Sequence, residues 1–168
     1  VHSESVVHGD LTSLNVLIDD KGRACLTDFG LSSMVKMGEK FDYLRPCAKM
    51  PGAFRYSAPE LITSQIKDNE DEDGGGDEDA TNSLNHREVK ERDIPSPSSD
   101  MYSYGCIMFE VLSGGVPWED YAIPVVVILT GKTPERPQSR DVHDEDWIFI
   151  LQCWLSLPPL RPVASQAL

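Results

Sequence analysis

Apolar positions along the chain fall into two kinds of pattern. Asn15-Val16-Leu17-Ile18 and Ala24-Cys25-Leu26-Thr27 are short strand-like runs, and Asp19-Asp20-Lys21-Gly22 between them has strong turn chemistry. They predict a small hairpin with Asp10 and Asn15 before it and Asp28 after it. Later, Met101, Tyr104, Ile107, Met108, Val111 and Leu112 recur at helical spacing. Asp100 stands where an N-cap belongs, and Gly114-Gly115 end the run. With Gly105 and Cys106 the segment is apolar nearly all round, which predicts a buried central helix. Shorter helices are expected over Tyr121–Leu129 and over about Glu145–Leu155. The second would carry Trp147, Ile148, Leu151 and Trp154 on one face and stop at Pro158-Pro159. Residues 31–59 hold Gly38, Pro46, Pro51, Gly52 and Pro59 with no sustained period, so they read as a long loop, and such loops are usually functional.

Charge changes this picture in one place. Fifteen Lys and Arg against 28 Asp and Glu give a net charge of -13, and eight of the acids lie between Asp68 and Asp79 without a base. A block like this repels itself and buries no apolar area, so 67–99 is expected to be a disordered acidic insertion within one domain spanning 1–168. The acidity argues against nucleic acid as a partner. The apolar run Ile123–Leu129 is too short to span a bilayer and contains Pro124, so no membrane contact is expected. Cys25, Cys47, Cys106 and Cys153 are scattered, without metal-ligand spacing, which suggests reduced thiols and a cytoplasmic setting. His2, His86 and His143 read as solvated.

Candidate chemistry lies at the outer ends of the hairpin. His8-Gly9-Asp10-Leu11-Thr12-Ser13-Leu14-Asn15 is followed thirteen residues after Asn15 by Asp28-Phe29-Gly30. Phosphoryl transfer needs an acceptor to orient the attacking hydroxyl and oxygen ligands to hold magnesium against phosphates. An Asp and an Asn on one loop, with a second Asp delivered by a hairpin, can converge on such a site.

In this order the motifs resemble those of the eukaryotic protein kinase family, tyrosine-kinase-like group, from the catalytic loop onward. The resemblance includes Ala58-Pro59-Glu60, the helix beginning Asp100-Met101-Tyr102, and Cys153-Trp154 with Arg161-Pro162. It implies a mainly α member of an α+β family: the C-terminal lobe of a kinase catalytic domain, with the small β-hairpin at the catalytic loop and a buried central helix. The glycine-rich loop and strand lysine of the N-terminal lobe have no counterpart, and the chain starts at Val1, so a fragment, weak or inactive alone, is expected. By the same resemblance Asp10 is the catalytic base, and Asn15 and Asp28 are cofactor-binding magnesium ligands. ATP and Mg2+ are the implied cofactors, and a protein substrate, through Ser or Thr hydroxyls, the implied partner. Asp100 would bond the catalytic-loop backbone, Glu60 would pair with Arg161, and His8 and Phe29 would pack beneath the site.

Departures from the family pattern bear on activity. Gly9 stands where many kinases have an Arg that grips a phosphorylated activation loop, so independence from that switch is expected. Thr12 replaces a Lys that contacts the transferring phosphate, Leu14 the Arg of tyrosine kinases, and Ala53 a small hydroxyl residue. Losing a cation there weakens charge stabilisation in the transition state. Two alternatives follow: a pseudokinase or scaffold, and a small-molecule phosphotransferase of aminoglycoside or choline kinase type. The latter lacks the Ala58-Pro59-Glu60 and Arg161 architecture.

Overall fold

The computed structural model describes residues 1–29, 33–34, 53–63, 94–138 and 142–167. The expectations for the acidic run at 67–93, for Cys47 and His86, and for most of the 31–59 loop lie outside the described residues. The strands are β1 (Val6–Val7), β2 (Val16–Ile18), β3 (Ala24–Leu26) and β4 (Ser33–Met34). Helix α1 covers 59–63, followed by α2 (Pro97–Ser113), α3 (Pro124–Leu129) and α4 (Asp144–Cys153). Short 3-10 turns at His2–Glu4, Ser13–Asn15 and Ala53–Tyr56 link them.

The hairpin forms where the alternation places it. β2 and β3 pair antiparallel with Val16 opposite Leu26 and Ile18 opposite Ala24. Its turn is held by Asp19, whose Oδ1 accepts the backbone N–H groups of Lys21 and Arg23 at 2.9 and 2.8 Å. These bonds and the Arg23 guanidinium hold the Asp19 carboxyl below its ordinary 3.8. Gly22 takes a φ of 77°, which a side chain would strain. β1 pairs with β4, Val7 opposite Ser33, so the segment after Asp28 returns beside the entry to the loop between β1 and β2.

α2 is the buried axis expected from its composition, but it begins earlier than Asp100. Ser96 is the N-cap: its Oγ accepts the Ser99 N–H at 3.1 Å, while Ser99 Oγ accepts the Ser96 N–H at 2.8 Å. Pro97 occupies the first turn, where its missing N–H costs nothing. Asp100 is therefore inside the helix, and residues 97–99, assigned to the insertion, belong to its first turn. Gly114, at φ 78°, ends the helix as expected.

α4 crosses α2 at Gly105, where an added Cβ would stand 2.6 Å from the Cys153 Cβ. Three acids, Asp144, Glu145 and Asp146, begin α4, where they suit the positive end of the helix dipole. Trp147, Ile150, Leu151 and Trp154 join the core. Ile148 does not: it is 54% exposed, because Ile150 and Cys153 face α2 and Ile148 lies on the opposite side. The helix ends at Cys153, before Pro158-Pro159. α3 is shorter than expected, starting at Pro124.

Trp118 and Trp154, with ring centroids 5.6 Å apart, and Phe109, 5.7 Å from Trp154, fill the space between α2, α3 and α4. Large aromatic areas in contact make this the energetic centre of the helical body. Among the described residues no helix is long and apolar enough to cross a membrane.

Candidate active site

The loop between β1 and β2 is suspended from α2. Asp100, buried in the first turns of that helix, accepts the His8 N–H on Oδ2 at 2.8 Å and the Gly9 N–H on Oδ1 at 2.9 Å. Gly9 has φ 82°, a conformation that lets two successive N–H groups reach one carboxylate. His2 lies against the same group, with Nε2 2.9 Å from Asp100 Oδ2. That corrects the solvated reading of His2: the chain entering β1 folds back onto α2, a meeting of residues 98 apart that local pattern cannot show. His143 is exposed.

His8 is buried and reads both ways along the loop. Its Nε2 lies 2.9 Å from the Thr27 carbonyl, so it carries the proton and donates. Nδ1 is then the acceptor for the Asp10 N–H at 3.3 Å. One neutral imidazole thus ties residue 10 to the end of β3. The ring also meets Phe29 with centroids 4.8 Å apart; His8 is buried, as expected of a packing residue, whereas Phe29 is 42% exposed.

Asn15 joins the two sides of the hairpin. Its Nδ2 donates to the Asp10 carbonyl at 2.8 Å, and its own carbonyl accepts the Thr27 N–H at 2.9 Å. Asp28 follows directly, exposed and with φ 59°. Left-handed backbone is uncommon for a residue with a Cβ, and such strain gathers at functional sites. The three candidate residues are therefore linked through backbone and amide bonds at one end of the hairpin. Because the amide N–H2 of Asn15 points at residue 10, its Oδ1 is oriented as a separate acceptor.

Hard oxygen donors of this kind suit a magnesium–phosphate group, which keeps part of its coordination from water and phosphate oxygens. No cluster of three His, Cys, Asp or Glu side chains forms a closed metal site among the described residues. Thr12, in the position where a cation was expected from the resemblance, is buried.

The segment that closes the long loop is fastened beside this site. Glu60 and Arg161 form a two-pronged pair, 2.6 and 2.8 Å, and Arg161 also donates to the Leu155 and Ser98 carbonyls. Arg55 donates to the Pro117 and Trp118 carbonyls at 2.9 and 2.7 Å. Sequence reasoning missed Tyr56, whose hydroxyl donates to Glu110 at 2.5 Å. No local signal marks it, since Glu110 lies 54 residues away.

Comparison with known proteins agrees with this geometry. Residues 1–73 match the protein kinase domain family, and residues 80–168 match the protein tyrosine and serine/threonine kinase family. The chain is 28% identical to mitogen-activated protein kinase kinase kinase ANP1 of Arabidopsis thaliana, over 100% of this chain and 21% of that protein. It is 27% identical to kinase suppressor of Ras A of Caenorhabditis elegans, over 98% of this chain and 19% of the relative. It is 25% identical to serine/threonine-protein kinase mos of Patiria pectinifera, over 99% of this chain and 40% of that protein. The chain thus spans about a fifth to two fifths of the length of these relatives. Two family matches that together take in nearly every residue, on a helical body with its hairpin loop hung from a central helix, lead to one conclusion: this chain belongs to the protein kinase family.

Proposed function

We propose that the protein containing this chain is an ATP-dependent protein kinase that transfers the γ-phosphoryl group to protein hydroxyls, with Ser and Thr as the preferred acceptors. Asp10 orients the attacking hydroxyl and receives its proton, and Asn15 Oδ1 and the Asp28 carboxylate hold magnesium. Bound ATP–magnesium supplies the phosphoryl group and neutralises charge developing on it. The chain's own contribution is positional. Asp100 fixes residues 8 and 9, His8 fixes the Asp10 amide, and Asn15 bonds the Asp10 carbonyl. Placement of this kind lowers the barrier by removing reorganisation at the moment of transfer.

The single observation that carries the reading is the Asn15 amide bonded to the Asp10 carbonyl while the Asn15 backbone is bonded to Thr27, next to Asp28. Relatives named as serine/threonine and mitogen-activated protein kinase kinase kinases support the hydroxyl class. The Glu60–Arg161 pair supports a protein substrate over a small molecule, because it secures a segment beside the loop that small-molecule phosphotransferases lack. The test is phosphotransfer from labelled ATP to a generic protein substrate by the full-length protein. Asp10→Asn and Asp28→Asn should each reduce it by at least about a hundredfold, the scale of a lost general base or metal ligand. Equal rates in wild type and Asp10→Asn would refute the assignment.

A second reading, a pseudokinase or scaffold, is favoured by buried, uncharged Thr12. No thermal shift with saturating ATP–magnesium and no phosphotransfer by the full-length protein would identify it.

A further inference from the structure

Arg55 is the only lysine or arginine among the described residues of the 8–16 loop and the 53–63 segment. One nitrogen of its guanidinium, Nη1, donates to the Pro117 and Trp118 carbonyls at 2.9 and 2.7 Å. Its central carbon lies 5.9 Å from the Phe54 ring centroid. These contacts hold one edge of the planar group. The other edge, Nε and Nη2, has no partner among the described residues. Nor is that edge sealed from solvent, since Trp118 Nε1 is the only buried side-chain polar atom without a partner among the described residues. Glu119 and Asp120, the exposed acids that follow Trp118, form no ion pair with it.

An arginine fixed at one edge and open at the other is a prepared fork. Its Nε–H and one Nη2–H run parallel, at the spacing of two carboxylate or phosphate oxygens. Because the side chain is already ordered, an anion that binds there costs little further rotamer freedom. The fork also borders the candidate site. Arg55 directly precedes Tyr56, whose hydroxyl lies 3.1 Å from Ser13 Oγ in the loop that carries Asp10 and Asn15. That loop offers an anion nothing of its own: its one charge is Asp10, and its most exposed side chain is Leu14. At a net charge of -13 the chain repels acidic polypeptides at long range, so recognition of an acid requires a local cation.

We propose that Arg55 is a specificity-determining residue that selects protein substrates with an anionic side chain, Asp, Glu or a phosphorylated residue, near the acceptor hydroxyl. The inference rests on the kinase reading of the site and names the substrate class that the site takes. The anion closes on Nε and Nη2 while Nη1 keeps its two carbonyls.

The experiment gives the full-length protein a degenerate peptide library with a fixed Ser or Thr acceptor. Asp and Glu should be enriched at one position near the acceptor. Matched peptides with Asp, phosphoserine or Asn at that position are then compared. On wild type the Asn peptide should have a KM about tenfold higher than the better anionic one, the scale of a charge-assisted hydrogen bond. On Arg55→Gln the ratio should fall to about one, a change that a merely structural role of Arg55 would not produce. Whichever of Asp and phosphoserine binds better identifies the source of the anion. Arg55→Lys, which keeps the charge and loses the fork, should retain a ratio of about three and serves where Arg55→Gln does not fold. No anionic enrichment on wild type, or the same ratio in wild type and either variant, would overturn the proposal. The same peptides with Ala in place of the acceptor, titrated by fluorescence anisotropy, separate this inference from the kinase reading. Should Asp10→Asn transfer phosphate as fast as wild type, the kinase reading falls. Tighter binding of the anionic peptide to wild type than to Arg55→Gln or Arg55→Lys then still supports Arg55, and equal binding overturns it.

Discussion

A guanidinium with no exposed side-chain surface is stable at position 161 because its donors are occupied. Four of its N–H groups reach Glu60 twice, Ser98 and Leu155, and its plane lies 5.1 Å from the Tyr102 ring centroid. Removing one partner strands the other, so Glu60→Ala should cost about 3–5 kcal/mol, read as a lowered urea midpoint. The double variant Glu60→Leu/Arg161→Leu should cost less than Glu60→Ala, since no buried charge remains. Burial also raises the Cys106 thiol far above its ordinary 9.0 and pushes Cys153 up to about 12. Above pH 9 the unfolded chain sheds these protons while the folded one keeps them, so their contribution is full below pH 9 and is lost as pH rises. Tyr56 and Tyr102, raised from 10.0 chiefly by burial, add a second decline above pH 10. Urea denaturation from pH 7 to 11 should show stability falling from pH 9. A Cys106→Ala/Cys153→Ala variant, less stable at neutral pH, should keep a flat profile to about pH 10. The meeting of Asp10, Asn15 and Asp28 at one end of the hairpin was legible because their spacing is a local pattern. Arg161 was legible only through family resemblance, and His2 not at all, because its partner Asp100 is distant in sequence.

Between elements, the contact of α2 with α4 depends on a missing side chain. A methyl at Gly105 would meet the Cys153 Cβ at 2.6 Å and the Trp154 indole nitrogen at 3.2 Å, so the helices must part. Gly105→Ala should therefore destabilise by about 1–3 kcal/mol despite alanine's better helix propensity. Equal or higher stability in urea would contradict that contact. At the other end of α2, Ser96→Ala removes one half of a reciprocal cap and should cost about 1 kcal/mol. Helix existence and burial were legible from period and composition. Its start was not, because Pro95-Ser96-Pro97-Ser98-Ser99 has the look of a linker, although Pro97 at the first position and the Ser96–Ser99 spacing encode a cap. The hairpin was legible for the opposite reason: Asp19 and Gly22 serve a turn whose bonds all lie within five residues. Leu17 and Ile18, neighbours in β2 whose side chains point to opposite faces, are 55% and 66% exposed.

Across the whole molecule, Asp100 and the Glu60–Arg161 pair connect regions that share no sequence neighbourhood. Asp100→Asn leaves shape intact but offers one acceptor oxygen to N–H groups that now meet two, and its own N–H2 faces donors. In the full-length protein it should lower phosphotransfer at least about tenfold, the scale of a lost charge-assisted bond, and quicken exchange at the His8 and Gly9 amides. Wild-type values for both would refute this role. The same wiring has a consequence for biosynthesis. Glu60 is separated from Arg161 by 101 positions, so a nascent chain elongating at roughly 5–20 residues per second holds that carboxylate without its mate for about 5–20 s. Through that interval tryptophans at 118 and 147 emerge before the last of their group, Trp154, so chaperone binding to ribosome-tethered intermediates should peak there and fade once Arg161 has cleared the exit tunnel.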